Sequence, residues 1–151
     1  MKKILITGSN GLLGQTLVNL LIKEPENYSV IGLSKGENRM NRSDFLYYDI
    51  DITNFDKLKE CISCIQPSII INTAAMTSVD VCEVKPEKCN QINIEAVRYL
   101  TQISAKFNIH FIQISTDFIF DGINGFYKET DLPNPLSIYG NSKLRAENII
   151  K

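Results

Sequence analysis

A tyrosine and a lysine stand four residues apart, as Tyr139 and Lys143, near the end of this 151-residue chain. On a helix this spacing puts both side chains on one face. An ammonium group beside a phenol favours the ionised phenol, which can exchange a proton with a carbonyl oxygen. The pair therefore predicts acid–base chemistry on a carbonyl compound. Its weight comes from its position behind a glycine-rich turn, because the spacing alone is common by chance.

Three polar residues, Ser115, Thr116 and Asp117, follow directly on a short apolar run that is typical of a strand. In open α/β sheets, ligands bind beyond the carboxyl ends of the strands. A hydroxyl group there can donate a hydrogen bond to the same carbonyl that Tyr139 protonates. The alternative is a cap on the end of the strand, which a Ser-Thr-Asp trio can also form.

Glycines punctuate the run Thr-Gly-Ser-Asn-Gly-Leu-Leu-Gly at residues 7–14, between the first predicted strand and the first predicted helix. Glycine permits a tight turn, and the missing Cβ lets a pyrophosphate approach the backbone. The helix that follows would offer free N–H groups to the phosphates. The spacing is GxxGxxG instead of GxGxxG, but its context predicts a dinucleotide site rather than a purely structural turn. The candidate residues are Gly8, Asn10, Gly11, Leu12 and Gly14.

The end of the second predicted strand bears on the choice of cofactor, because in such folds it reads the adenosine ribose. Ser34, Lys35 and Arg39 lie at or near that end, with Arg42 close by, and no carboxylate stands there. Cations suit the 2′-phosphate of NADPH. We hypothesise a preference for NADPH, or use of both NADPH and NADH, against the alternative of a solvated polar loop. Replacing Lys35 by alanine should then weaken NADPH binding.

Hydrophobic patterning predicts the elements that must hold these residues. Short apolar runs predict five strands, at 3–6, 28–33, 45–52, 68–72 and 111–114. Apolar residues at helical spacing predict helices over 11–23, 54–65, 87–107 and 136–151. Strands that alternate with helices of this length indicate βαβ units. We therefore predict an α/β fold with a doubly wound, Rossmann-like parallel sheet, forming one NAD(P)-binding domain over residues 1–151.

The number of strands bears on the completeness of the fold. A doubly wound sheet of two mononucleotide-binding halves usually has six strands, whereas five are predicted here. We expect the chain to be the front part of a longer protein, without the C-terminal strands and the substrate domain.

Composition excludes several classes of protein. The chain carries a net charge of -1 and is 44% hydrophobic, which suits a globular domain and gives no reason to expect nucleic acid or an anionic membrane as a partner. No apolar run reaches the ~18 residues of a membrane span, and the first run is too short for a signal peptide. We expect a cytoplasmic protein with reduced cysteines. No metal site is predicted, since Cys61 and Cys64 form the only CxxC and His110 is the only histidine.

Taken together, these residues resemble the dTDP-4-dehydrorhamnose reductase family of extended short-chain dehydrogenases/reductases. The glycine turn and the Tyr-x-x-x-Lys spacing mark the superfamily. More specific signals are Thr-Ser-Val-Asp at 77–80 and Ser-Thr-Asp-Phe-Ile-Phe-Asp-Gly at 115–122. The similarity runs over nearly all of the chain.

The resemblance implies a role for each matching residue. Tyr139 would be the proton donor, Lys143 would assist its ionisation and bind the nicotinamide ribose, and Thr116 would orient the keto group. Asn93 would be a buried polar anchor of the central helix beside the cofactor. Further residues implied at the cofactor are Asp51, Ile52, Ala74, Ala75, Met76 and Ser115. Residues implied toward the sugar are Thr77, Val79 and Asp117.

The resemblance also implies a reaction, hydride transfer from NADPH or NADH to the 4-keto group of dTDP-4-dehydro-6-deoxy-L-mannose, which gives dTDP-L-rhamnose. Related dehydratases carry Thr-Asp-Glu, but Phe118 stands in the Glu position and an apolar ring cannot transfer a proton. Two alternatives stay open, a non-catalytic NADP-binding regulatory subunit and a nucleotide-sugar epimerase. The expected partner is a dTDP-linked sugar, with a homodimer as the expected assembly if there is one. We expect this chain alone to turn over little substrate.

Overall fold

Five parallel strands form the centre of the computed structural model, which describes residues 1–151. The strands are β1 Lys2–Thr7, β2 Tyr28–Ser34, β3 Leu46–Asp49, β4 Ile69–Asn72 and β5 His110–Gln113. They lie in the order β3-β2-β1-β4-β5, and every neighbouring pair is parallel. The chain moves outward from β1 to β3 and then crosses back to β4, so the direction of winding reverses between β1 and β4. Ligands bind at such a reversal in doubly wound sheets.

Helices connect the strands and cover the sheet. They are α1 Leu12–Leu21, α2 Phe55–Ile65, α3 Val79–Val84, α4 Pro86–Asn90, α5 Ala96–Phe107 and α6 Ile138–Ile150. A π-helical turn, Gln91–Glu95, joins α4 to α5, and a 3₁₀ helix, Asp117–Ile119, follows β5. None of the helices combines the length and the apolar character needed to cross a membrane.

Two apolar cores lie on opposite faces of the sheet. Because side chains alternate along a strand, Leu5 of β1 points into one core while Ile4 and Ile6 point into the other. The larger core is completed by α2 and α5, and the smaller core by Val18 of α1. Burial on both faces explains why the strand sequences are continuous apolar runs rather than alternating ones.

The predicted α/β class, parallel sheet and five strands are confirmed, with four local differences. The third strand is shorter than predicted, four residues instead of eight. The predicted helix over 87–107 is α4, the π-helical turn and α5 in succession, and α3 precedes it unpredicted. The last helix begins at Ile138 rather than 136, because the Ser137 hydroxyl accepts a hydrogen bond from the Gly140 N–H and caps it there.

Candidate functional site

The turn between β1 and α1 has a geometry that only glycine fits at two positions. Gly8 has a φ of 73°, and a Cβ there would lie 2.6 Å from the backbone nitrogen of Ala74. A Cβ on Gly14 would lie 2.3 Å from the carbonyl oxygen of Gly8. Gly11 is less constrained, since its nearest neighbour would be 3.2 Å away. The predicted glycines therefore keep the turn tight and its backbone bare.

The first turn of α1 is free to bind an anion. Its N-cap is Gly11, which has no side chain to satisfy the first N–H groups, and the first turn contains no acidic residue. Unpaired N–H groups and the positive end of the helix dipole suit a phosphate. The bare backbone and this free helix end together fit the pyrophosphate of a dinucleotide.

A cavity of about 370 Å³ opens beside this turn. Ten of its lining residues were predicted from the sequence at the cofactor: Gly8, Asn10, Gly11, Ser34, Lys35, Arg39, Asp51, Ile52, Ala74 and Ala75. Five other lining residues were not predicted: Leu33, Ile50, Thr73, Lys88 and Ile92. No motif or spacing in the sequence singles these five residues out. Seven other residues predicted at the cofactor do not line this cavity: Leu12, Gly14, Met76, Asn93, Ser115, Tyr139 and Lys143.

Charged side chains occupy one side of this cavity. The Lys35 ammonium lies 2.8 Å from an Asp51 carboxylate oxygen, while Arg39 lines the cavity beside them. The hydrogen bond from Lys35, helped by donors on Thr53, lowers the pKa of Asp51 to about 2. Arg42 points elsewhere, because its guanidinium donates to Asp44 and Asn19.

Asn10 shapes the cavity through its neighbours. Its side-chain amide donates to the Tyr47 hydroxyl and to the Glu37 carbonyl oxygen, both at 2.9 Å. Its side-chain oxygen accepts from the Arg39 N–H at 3.1 Å. These bonds fasten the loop after β2 to the glycine turn, so the Asn10 amide is committed to holding the walls together.

Tyr139 and Lys143 are both buried on α6, with exposed fractions of 8% and 4%. The Lys143 ammonium donates to the carbonyl oxygen of Ile114. Burial lowers the pKa of Lys143, and the nearby Glu147 carboxylate opposes that shift. The Tyr139 ring meets Phe118 edge-on, with 5.8 Å between ring centroids. The pair therefore shares one buried helix face, as its spacing predicted.

Three polar side chains, joined by hydrogen bonds, lead to the Ile114 carbonyl oxygen that Lys143 also contacts. Thr7, Asn72 and Gln113 are the last residues of β1, β4 and β5. The Thr7 hydroxyl donates to Asn72, the Asn72 amide donates to Gln113 at 2.6 Å, and the Gln113 amide donates to the Ile114 carbonyl oxygen at 2.8 Å. Sequence reasoning missed this chain, although a polar residue closing each of three apolar strands was visible.

Asn93 lies in the π-helical turn and is almost completely buried. Its side-chain oxygen accepts from the Met76 N–H at 2.8 Å, and its amide donates to the Met76 carbonyl oxygen at 3.0 Å. The same amide donates to the Ser142 hydroxyl of α6 at 2.9 Å. Asn93 thus ties the segment after β4 to the helix that carries Tyr139 and Lys143.

The Ser-Thr-Asp trio follows β5. The Thr116 hydroxyl accepts a hydrogen bond from the Phe118 N–H at 3.3 Å, so it caps the 3₁₀ helix. The Ser115 hydroxyl donates to Glu147 of α6. The alternative that the sequence left open was a cap on the end of the strand, whereas Thr116, which is partly buried, caps the 3₁₀ helix that follows.

A second cavity, of about 650 Å³, is lined by Phe118, the residue whose ring meets Tyr139. The predicted catalytic residues Thr116, Tyr139 and Lys143 line neither cavity. Its walls include Asp117, Phe118, Phe120, Tyr127 and Leu136. Two residues predicted toward the sugar, Thr77 and Val79, line neither cavity: Thr77 is exposed, and Val79 packs on the cluster around Tyr139. Among the predicted substrate residues, only Asp117 lines the larger cavity.

Comparison with known proteins gives a consistent family. Residues 1–151 match the model of the family described as RmlD substrate binding domain. The dTDP-4-dehydrorhamnose reductase of Aggregatibacter actinomycetemcomitans is 36% identical over 99% of this chain and 47% of its own length. Methionine adenosyltransferase 2 subunit beta of Bos taurus is 31% identical over 99% of this chain and 42% of its own length. The chain thus spans less than half the length of these two relatives.

Solved structures share the fold. A hypothetical dTDP-4-dehydrorhamnose reductase from Sulfolobus tokodaii aligns with a TM-score of 0.87 at 41% identity, over 97% of this chain and 51% of that one. The dTDP-4-dehydrorhamnose reductase of Bacillus anthracis in complex with NADP aligns with a TM-score of 0.83 at 31% identity, over 99% and 48%. UDP-glucose 4-epimerase of Thermotoga maritima with UDP-glucose aligns with a TM-score of 0.85 at 28% identity, over 97% and 49%.

Proposed function

The chain belongs to the RmlD substrate binding domain family, and on that premise we propose that residues 1–151 are the NAD(P)-binding domain of a nucleotide-sugar reductase. One observation carries the proposal. The free end of α1 and the bare glycine turn adjoin a cavity of about 370 Å³ that also contains Lys35 and Arg39. Phosphates and a 2′-phosphate are the ligands that such a combination suits.

A nicotinamide dinucleotide is confirmed as a ligand at the level of the family, because the related reductase of Bacillus anthracis was solved with NADP. In this chain Gly8, Gly11 and the first N–H groups of α1 would hold the pyrophosphate. Asp51 and Ile52 would flank the adenine, and Ala74, Ala75 and Met76 would line the rest of the cofactor. Ser34, Lys35 and Arg39 would meet the adenosine ribose, and Ser115 and Asn93 would support the nicotinamide side.

The catalytic groups would act on a carbonyl compound. A reduced nicotinamide bound in this site would supply a hydride to the carbonyl carbon. Tyr139 would donate its hydroxyl proton to the carbonyl oxygen, in a buried setting that excludes competing water. Lys143, held on the Ile114 carbonyl oxygen, would place a positive charge near Tyr139 and stabilise the phenolate left behind. Thr116 would donate a hydrogen bond to the same substrate oxygen.

The substrate that we propose is dTDP-4-dehydro-6-deoxy-L-mannose, reduced to dTDP-L-rhamnose. Relatives named dTDP-4-dehydrorhamnose reductase at 36% and 41% identity support this choice. Thr77, Val79 and Asp117 would lie toward the sugar. The remaining contacts would come from the half of such reductases that this chain does not span. A cytoplasmic location and a homodimer stay predictions.

Two other functions are supported by particular relatives. Similarity to methionine adenosyltransferase 2 subunit beta favours a regulatory subunit that binds NADP without turnover. Similarity to UDP-glucose 4-epimerase favours an enzyme that retains its cofactor through each cycle. The presence of Thr116, Tyr139 and Lys143 together favours the reductase over a binding subunit.

A test needs a protein that spans the full length of the reductase relatives. NADPH consumption on addition of the 4-keto sugar nucleotide supports the reductase, and Tyr139→Phe should abolish consumption while leaving NADPH binding intact. Tyr28→Phe is the matched control, because Tyr28 lies at the start of β2, away from the cavity. NADPH binding without consumption points to the regulatory subunit. NAD that remains bound after purification points to the epimerase.

A further inference from the structure

The cofactor cavity contains one acidic side chain among its cations. Lys35, Arg39 and Lys88 line it, and Asp51 is the only carboxylate that does. The end of β2 itself carries no carboxylate. Asp51, which the family resemblance implied at the cofactor, comes from the segment after β3 and pairs directly with Lys35.

Asp51 and Lys35 differ in how firmly other contacts hold their side chains. One Asp51 oxygen accepts from the Thr53 N–H at 3.0 Å and from the Thr53 hydroxyl at 2.7 Å, which anchors the carboxylate to its own loop. The Lys35 side chain is 76% exposed, and its ammonium has Asp51 as its one partner. Lys35 can therefore leave the pair by rotating its side chain, whereas Asp51 stays in the cavity wall.

Resting on the proposed function, we infer that Asp51 is a specificity-determining residue that acts against Lys35 in the choice between NADPH and NADH. A 2′-phosphate must take Lys35 away from Asp51 before it can pair with the ammonium. A 2′-hydroxyl does not face this cost, because it needs no cation and can donate a hydrogen bond to a carboxylate. The pair thus moderates the preference for NADPH that Lys35 and Arg39 alone would give.

The test measures the dissociation constants of NADPH and NADH for this chain by fluorescence titration. Asp51→Asn keeps an oxygen to accept from Thr53 but releases Lys35. We expect it to tighten NADPH binding about three- to fivefold, the scale of one exposed charge pair, and to leave NADH binding unchanged or weaker. Glu26→Gln is the matched control, since it removes the same charge from an exposed site before β2 and should leave both constants unchanged.

A double-variant cycle tests whether Asp51 acts through Lys35. In the Lys35→Ala background, Asp51→Asn should change NADPH affinity less than twofold. A full Asp51→Asn effect in that background overturns the inference, as does an equal change for both cofactors. Asp51→Ser, checked by circular dichroism, gives a second variant if the asparagine variant does not fold. A folded wild-type chain that binds neither cofactor overturns the proposed function as well, whereas binding of both with an unchanged ratio overturns this inference alone.

Discussion

Burying a charged lysine destabilises a fold, so a buried lysine usually has a functional role. Both points apply to Lys143. Only 4% of the residue is exposed, yet its ammonium keeps a hydrogen bond to the Ile114 carbonyl oxygen. That oxygen also accepts from the Gln113 amide, so it would keep a partner without Lys143. Loss of Lys143 would therefore not leave the Ile114 carbonyl oxygen unpaired, and the role that we propose for the lysine is a positive charge near Tyr139.

Replacing Lys143 by methionine should separate the two roles. The pKa of Lys143 in the folded chain lies below its ordinary value of 10.5, because burial disfavours the charged form. Below the folded pKa the lysine is charged in both states, and folding has the cost of burying that charge. As pH rises from the folded pKa to 10.5, the unfolded chain binds more protons, so stability rises with pH.

Denaturant unfolding should therefore show Lys143→Met at least as stable as wild type at pH 7, with the wild type gaining on the variant as pH rises toward 10.5. In a protein of the relatives' full length, the same variant should lose roughly 100-fold or more of its NADPH-dependent turnover. Lys59→Met, an exposed lysine on α2, should change neither quantity. A Lys143→Met variant that unfolds far more easily at pH 7 would assign the lysine a structural role.

At the scale of elements, the sequence was sufficient for the strands and for most helices, but not for how the helices are wound. The apolar periodicity over 87–107 predicts one helix, and that periodicity is kept through the π-helical turn. A slip of one residue in the hydrogen-bond ladder leaves hydrophobic spacing nearly unchanged, so only the structure reveals it. Such turns are frequent at functional sites, and this one carries Asn93. The α3 helix was missed because six residues are too few to show a helical period.

Asn93→Ala should weaken the junction between the π-helical turn, the loop after β4 and α6. The substitution leaves the Met76 N–H without its partner, while the Met76 carbonyl oxygen keeps the Cys82 thiol at 3.6 Å. One unsatisfied group of this kind costs about 1–3 kcal/mol of unfolding free energy. Asn90→Ala, one turn earlier on the same run, has no side-chain hydrogen bond to lose and should change stability by less than about 0.5 kcal/mol. Urea unfolding of both variants measures the difference in unfolding free energy. Equal losses would show that the Asn93 hydrogen bonds do not stabilise this junction.

Across the whole molecule, the two faces of the sheet are covered unequally. α2 and α5 cover the face of the larger core, whereas α1 is the helix of the opposite face. There the strands farther from α1 are less protected: Ile71 of β4 is half-buried, and its neighbour Ile112 on β5 is 36% exposed. The sequence showed that these strands were apolar but not which of them a helix would reach, because that depends on strand order.

The two cavities also differ in the binding features that residues 1–151 give them. The cofactor cavity adjoins the glycine turn and the free end of α1, which suit phosphates, while the larger cavity beside Phe118 has the exposed side chains of Phe126 and Leu136 in its wall. Cofactor binding should therefore belong to these residues alone, and sugar-nucleotide binding should require more surface than they provide.

The 151-residue chain should accordingly bind NADPH with saturation but reduce the 4-keto sugar nucleotide far more slowly than about 1 per second, the lower end of typical enzyme turnover. The measurement is NADPH consumption at saturating cofactor, with Tyr139→Phe as the blank for non-enzymatic oxidation. A protein spanning the relatives' full length, assayed in parallel, should turn over at ordinary rates. If the 151-residue chain matches it, the sugar nucleotide is held by these residues, and the cavity beside Phe118 is sufficient as it stands.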